Sequence, residues 1–299
     1  MEYLSEEQVR SVLTYEALLP AIERALIDLS GGRIQQPVRT ILSIPEHGGR
    51  FGIMPAVDGD FIGVKLVSVY EGNRTLPTHQ AVIQLLSSRT GEPVVVMDGR
   101  LITEMRTAVV SALATRELAR PNAQVLAILG SGVQARSHLR ALRLVRSFRE
   151  VRVWSRTPEN ARRFATEFGV TPTESAEAAA RGADIVVSVS SVSEPLVRGA
   201  WLGEQTLVCA VGAVGPHMRE LDDEAMHAAI VVESREAAQR ESGDLLGSGA
   251  GVHAELGELL AGTKPKPSGR AVFKSLGVAT EDLAAAALVW QKWQEREGN

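Results

Sequence analysis

The chain has 299 residues, 44% of them hydrophobic and 23% charged, with a formal net charge of −4. That length fits one large or two medium domains, and the slightly acidic balance removes any electrostatic case for a nucleic-acid partner. The single cysteine, Cys209, excludes an intrachain disulfide and a cysteine-cluster metal site, and the histidines show no metal-ligand spacing, so no metal is expected.

The start, Met1-Glu2-Tyr3-Leu4-Ser5, has no basic segment followed by an apolar one. No run approaches the ~18 continuous apolar residues of a membrane span. A cytoplasmic location with no membrane partner is the expectation. Ser5-Glu6-Glu7-Gln8 reads as a capping box opening a short helix. Leu18, Leu19, Ile22, Ala25, Leu26 and Leu29 mark a longer amphipathic helix, stopped by Gly31-Gly32. Five β-rich runs follow: Val38–Ile44, Phe51–Met54, Ile62–Val69, Ala81–Leu86 and Pro93–Met97. Turn residues separate them, which predicts an antiparallel sheet or partial barrel. A helix from about Ile102 to Ala119 leads to Arg120-Pro121-Asn122, a candidate domain boundary.

Beyond that boundary, strand-length Val125–Leu129 feeds into Gly130-Ser131-Gly132-Val133-Gln134-Ala135, with a helical pattern behind it. This is a Gly-x-Gly-x-x-Ala dinucleotide-binding turn in its required context. Gly130 permits the tight turn, Gly132 lets a pyrophosphate approach the backbone, and Ala135 lets helix and strand pack closely. The free N–H groups and positive dipole end of the helix face the phosphates. The next strand, Val151–Ser155, ends in Ser155-Arg156-Thr157, with no acid to bond the ribose hydroxyls. A guanidinium and two hydroxyls suit a 2′-phosphate, which favours NADPH, with NADH as the alternative. Arg156 as a plain solvated charge is the other reading. Further strands are expected at Asp184–Ser190, Thr206–Val211 and Ala229–Val232. The alternation predicts a doubly wound parallel sheet of Rossmann type over residues 121–279. The last helix, from about Thr280, carries Leu283, Ala287 and Trp290 on one stripe. It is assigned with residues 1–120 to an α+β substrate and dimerisation domain built on a mostly antiparallel sheet.

Three cations stand out in that first domain. Period-2 alternation puts Lys65 on the face of Gly63, Val67 and Val69, an odd place for an ammonium unless the face lines a cleft. Arg39 opens a strand, and Arg106 sits in the first turns of a helix. Each alone is equally consistent with a snorkelling or ion-paired side chain. Together they suit a substrate carboxylate, clamped by arginine, with a lysine to manage a proton. His79 follows a turn and is placed at the pocket, whereas His138 is expected on the surface. Cys209, in an apolar run, is expected to be a buried small hydrophobe.

These stretches together resemble the ornithine cyclodeaminase/mu-crystallin family, nearest its mu-crystallin, or ketimine reductase, branch. The carriers are Gly63–Val67, Thr78–Ala81, Met97–Gly99, Met105–Ala112, Ile128–Ala135, Arg219–Glu224, Glu241–Asp244 and Phe273–Gly277. The resemblance implies a homodimer and an imino- or amino-acid substrate. It makes Arg39 and Arg106 carboxylate ligands and Lys65 the catalytic lysine. It makes Thr107, Gly130–Ala135 and Ser155-Arg156-Thr157 cofactor contacts. Ser190 and Ser191 lie on the adenine side, and Phe273, Ser275 and Gly277 near the nicotinamide.

Two departures from the cyclodeaminase pattern stand out. Gly52, before Met54-Pro55, occupies the position of a glutamate that holds a distal amine. Val214 occupies that of an aspartate. Asp222 and Asp223 lie close by but read as the first turn of a helix. The pocket expected from this includes Ile53, Met54, His79 and Val214. The departures favour NADPH-dependent reduction of a carboxylate-bearing ketimine, of the Δ1-pyrroline-2-carboxylate or Δ1-piperideine-2-carboxylate class. The alternatives are cyclodeamination or alanine dehydrogenase-type deamination, and NADPH-dependent binding of a small ligand.

Overall fold

The computed structural model describes residues 1–298. In chain order the elements begin with β1 (Glu2–Leu4), α1 (Glu6–Val12), α2 (Tyr15–Ser30), β2 (Thr40–Ile44) and β3 (Gly49–Asp58). There follow β4 (Phe61–Tyr70), β5 (His79–Ser87), β6 (Pro93–Asp98) and α3 (Arg100–Leu118). Next come β7 (Val125–Leu129), α4 (Val133–Val145), β8 (Glu150–Trp154), α5 (Pro158–Phe168), β9 (Thr171–Pro172) and α6 (Ala176–Ala180). The chain continues through β10 (Ile185–Ser188), β11 (Leu207–Ala210), α7 (Asp223–Met226), β12 (Ala229–Val232) and α8 (Arg235–Glu241). It closes with α9 (Gly243–Ser248), β13 (Val252–Glu255), α10 (Leu256–Leu260), β14 (Ala271–Lys274) and α11 (Ala279–Glu297).

The chain forms two compact units, one of Met1–Arg106 with the segment from Gly277 onward, the other of Thr107–Leu276. One boundary between these units lies inside α3, between Arg106 and Thr107.

In the first unit a six-stranded sheet runs β1-β6-β5-β4-β3-β2, antiparallel throughout except for the β1–β6 pair. Ser5 and Gln8 form the capping box that the sequence predicts. Strand alternation buries one face, with Met54, Ala56, Lys65, Ala81, Ile83, Leu85, Val95 and Met97 pointing inward. Helices α11 and α2 pack together, and α11 lies on β3, β4 and β5. Gly63 explains how close α11 comes. A Cβ there would sit 2.5 Å from Leu283 Cδ1, so a larger residue would require the Leu283 side chain to shift.

The second unit is an eight-stranded, wholly parallel sheet in the order β13-β12-β14-β11-β10-β7-β8-β9, as a doubly wound fold requires. Its central strands β7, β10, β11 and β14 are buried along their whole length. The five strands read from the sequence are all present within a residue or two, whereas the short β9, β13 and β14 lie outside that reading. Strand β9 has two residues, and β13 and β14 have four each and end in a charge, Glu255 and Lys274, so the longest apolar run among them is the three residues before Lys274. Among the described residues no helix is long and apolar enough to cross a membrane, and no group of three His, Cys, Asp or Glu side chains is arranged to hold a metal.

Candidate active site

In the first unit the structure brings Lys65, Arg106 and Arg39 together and adds two carboxylates. Lys65 is only 3% exposed, on the inner face of β4. Its Nζ lies 2.6 Å from Asp282 Oδ2. The other oxygen of that carboxylate accepts from Arg106 Nε at 3.0 Å, and Arg106 NH1 donates to Glu281 Oε2 at 2.7 Å. Asp282 thus bridges lysine and arginine, one cation on each oxygen. Both acids lie in the first turn of α11, where the positive end of the helix dipole favours negative charge. Arg39 NH2 donates to the carbonyl of Gly277 at 2.7 Å. Gly277 has φ +70° and a Cβ there would fall 2.3 Å from Arg106 NH1. Glycine is therefore demanded twice, by conformation and by the guanidinium packed on it.

Burial pushes the Lys65 ammonium down to about 8; Asp282 pulls it back up, while Arg106 and Arg39 add to the depression. For Asp282, burial acts upward, yet Arg106 and Lys65 outweigh it and hold the carboxyl below its ordinary range. Met54 faces Lys65 across the β3–β4 ladder and is buried, whereas Ile53, expected at the pocket, pairs with Leu66 on the opposite face of the sheet. His79 pairs with Val69 on the Lys65 face, at the solvent-accessible mouth of β5. Surrounding chain lowers its pKa first, then the charge of Lys65. Gly52 also lies on this face. A side chain there would meet Val67 Cγ1 at 2.9 Å and Ile41 Cδ1 at 3.2 Å. The position is walled by hydrocarbon and carries no acid.

In the second unit the glycine turn is formed as the motif requires. Gly130 has φ +136°, and a Cβ on it would strike Val189 Cγ2 at 2.9 Å. A Cβ on Gly132 would meet nothing within 4 Å, so open space lies over the N-terminus of α4. Gly132 caps that helix without a side-chain hydrogen bond, leaving first-turn N–H groups for a ligand. The buried Gln134 Oε1 has no hydrogen-bond partner. Val133 is half-exposed at the same helix start, and Ala135 is fully buried against the sheet. Ser131 donates its hydroxyl to Ser155 at 2.9 Å and Ser190 donates to Leu129 O at 3.0 Å, tying the turn to the ends of β8 and β10. Arg156 and Thr157 are exposed beyond β8, and Arg156 has no hydrogen-bond or ion-pair partner among the described residues. Ser191 is exposed and Thr107 is buried in α3. These features fit a dinucleotide.

Other assigned residues lie away from the turn. Phe273 is fully buried in β14, its neighbours Cys209 and Val231 on the flanking strands, so its ring belongs to the core. Ser275 is buried and donates to Glu233 at 2.7 Å. Val214 is half-buried in the loop after β11. That loop is clamped by a second buried lysine. Lys274 Nζ donates to Ala213 O at 2.7 Å and to Glu220 at 2.8 Å, and lies 3.0 Å from Asp244. Glu220 in turn accepts from the N–H groups of Gly212 and Ala213. Asp222 caps α7, as its first-turn reading implies.

His138 corrects one expectation. It is fully buried, its Nδ1 2.8 Å from Gln134 O and its Nε2 3.0 Å from Ser111 Oγ, and burial pushes its pKa down to about 4. The signal was present: Ala135, His138, Leu139 and Leu142 form one helical stripe. Cys209 is buried as expected, its thiol pushed up to about 12 by burial. Glu281 and Asp282 were missed. Their only sequence signal was two acids at the start of a helix, which reads equally as dipole compensation.

A parallel sheet with a dinucleotide turn, in a chain that also buries a lysine–arginine–carboxylate cluster on an antiparallel sheet, defines a two-unit α/β nucleotide-binding protein. Comparison with known proteins narrows this. The model of the ornithine cyclodeaminase/mu-crystallin family matches residues 2–297. Ketimine reductase mu-crystallin of Mus musculus is 46% identical over 303 residues, covering 97% of each chain. The structure of Thermococcus litoralis Δ1-pyrroline-2-carboxylate reductase, in complex with NADH and L-proline, is similar with a TM-score of 0.95 and 35% identity, over 99% of this chain and 98% of that one. An archaeal alanine dehydrogenase dimer with bound NAD gives a TM-score of 0.94 and 31% identity, over 99% and 97%. The chain belongs to the ornithine cyclodeaminase/mu-crystallin family, as its motifs imply.

Proposed function

We propose that this chain is an NADPH-dependent reductase of ketimines that carry a carboxylate, with cyclic imines of the Δ1-pyrroline-2-carboxylate and Δ1-piperideine-2-carboxylate class as substrates. The observation that carries this reading is the buried Lys65 ammonium, lowered to about 8 and set beside Arg106. A donor of that pKa can protonate an imine nitrogen near neutral pH and be recharged from solvent. Arg106 and Arg39 offer guanidinium donors for the carboxylate. Met54, Val67 and Ile41 supply apolar walls, and the closed position at Gly52 leaves no acid for a distal amine, which argues for an imine delivered ready-made.

The nicotinamide cofactor supplies the hydride. For this chain's part, the Gly130–Ala135 turn and the start of α4 hold the pyrophosphate. The exposed Arg156, with Thr157, takes the 2′-phosphate; NADH lacks that group and binds less tightly. Relatives in this family are described as ketimine or pyrroline-carboxylate reductases, which supports oxidoreductase chemistry at a carbon–nitrogen bond here.

We also read the protein as a cytoplasmic homodimer. The outer face of the first unit's sheet leaves Leu42 51%, Leu66 37% and Val82 38% exposed; Leu42 pairs with Phe51, and Ile53, Leu66 and Val82 line up in the next row across β3 to β5. Together with Phe51 and Ile53 they form an apolar patch suited to a second copy. The test is oxidation of reduced nicotinamide cofactor, NADPH against NADH, with each cyclic imine, beside L-ornithine and L-alanine with the oxidised cofactors. Imine turnover with NADPH favoured is expected. Turnover of ornithine or alanine with silence on both imines overturns the reading.

A further inference from the structure

We infer that Asp282 is a positioning residue that holds the Lys65 ammonium and the Arg106 guanidinium at a fixed separation and keeps Lys65 charged as a proton donor. The inference rests on the proposed role of Lys65 and assigns a role to a residue outside the motifs used to reach it. The geometry is specific. One carboxylate takes Lys65 at 2.6 Å on one oxygen and Arg106 at 3.0 Å on the other. All three side chains are at least nine-tenths buried. The charged or titratable groups facing Lys65 are Asp282 and Glu281 from α11, Arg106 from α3, Arg39 from the segment before β2, and His79 from β5. Of these only Asp282 pairs with the ammonium; Glu281 pairs with Arg106 instead.

The two neighbouring acids therefore divide the work. Asp282 opposes the desolvation and the repulsion from two guanidinium groups that would otherwise strip the lysine of its proton. Glu281 pairs with the arginine and not with the lysine. Leu283, the residue after Asp282, packs over Gly63 on β4, two residues from Lys65. Asp282 touches neither reacting atom in this scheme. It acts through Lys65 and Arg106.

The experiment is the pH profile of kcat/KM for imine reduction in wild type, Asp282→Asn, Asp282→Glu and Glu281→Gln, all with one imine, so that the substrate's own ionisation is common to all. Cofactor binding to each variant serves as the folding check. In wild type the rate falls as pH rises past about 8, where Lys65 loses its proton. Asp282→Asn moves this alkaline limb down by about 1 to 3 pH units, so the loss is severe above neutrality and smaller in acid. Asp282→Glu keeps the limb in place with a lowered kcat. Glu281→Gln raises KM and leaves the limb unmoved. An unmoved limb in Asp282→Asn overturns the inference, as does an equal shift in Glu281→Gln. If Asp282→Asn fails the folding check, a limb displaced in Asp282→Glu overturns it. A wild type inactive on imines is a different result: it defeats the proposed function itself.

Discussion

Each unit of this chain buries a lysine among carboxylates, and the two environments move the lysine pKa in opposite directions. Lys274 is wholly enclosed; burial works against its charge, but Glu220 and Asp244 outweigh it and its pKa is raised. Lys65 is almost as deeply buried, yet it shares its one carboxylate with Arg106, and its pKa is lowered to about 8. The first ammonium is saturated with partners and locked into the loop after β11. The second is under-compensated, beside a guanidinium, and poised to give up a proton. Burial alone does not mark a functional lysine. The ratio of anions to cations around it does.

The comparison breaks if the two lysines respond alike to removal. Lys65→Met should lower imine turnover by about a hundred- to ten-thousand-fold, the range of a positioned proton donor, and leave cofactor affinity within about twofold. Steady-state kinetics with a cofactor titration reads this. Lys274→Met should act on stability instead, costing about 3–5 kcal/mol in denaturant unfolding, because Glu220 and Asp244 are left buried without their cation. The two lysines also pull alkaline stability in opposite directions. The contribution of Lys274 is complete below the ordinary lysine range and is lost as pH rises through its raised folded value. Lys65 is charged at a cost below about 8, so its contribution improves from there towards its unfolded value. The smallest of the three substitutions sharpens the comparison with a charge that is exposed. Arg156→Ala should weaken NADPH binding by about 1.5–3 kcal/mol, the worth of hydrogen bonds to a charged group, and leave NADH unaffected. Equal losses for both cofactors would remove Arg156 from 2′-phosphate recognition.

What was legible in the chain follows the range of the interactions. The glycine turn is local, and Gly130, Gly132 and Ala135 stand in the structure where the motif puts them. Strand alternation likewise put Lys65 on the inner face, because the period of two leaves only two choices. The partners of Lys65 and Arg106 were not legible. Asp282 is 176 residues from Arg106, and nothing in the pattern of α11 separates an acid that serves the helix dipole from one that bridges two cations. Lys274 escaped for a related reason. A lysine at the end of an apolar run normally marks the exit from a sheet, and only the distant Glu220 and Asp244 allow it to be buried. For His138, the position on the buried stripe of α4 outweighs the polarity of the side chain.

The placement of Asp282 and Glu281 on α11 has a consequence for biosynthesis. The whole of Thr107–Leu276 leaves the ribosome before α11 does, so the parallel sheet can close while Lys65 and Arg106 still lack their anions. Until α11 arrives, the inner face of β3, β4 and β5 is uncovered and its cations have no reason to leave water. Lys65 and Arg106 thus meet their carboxylate partners only when the last helix docks.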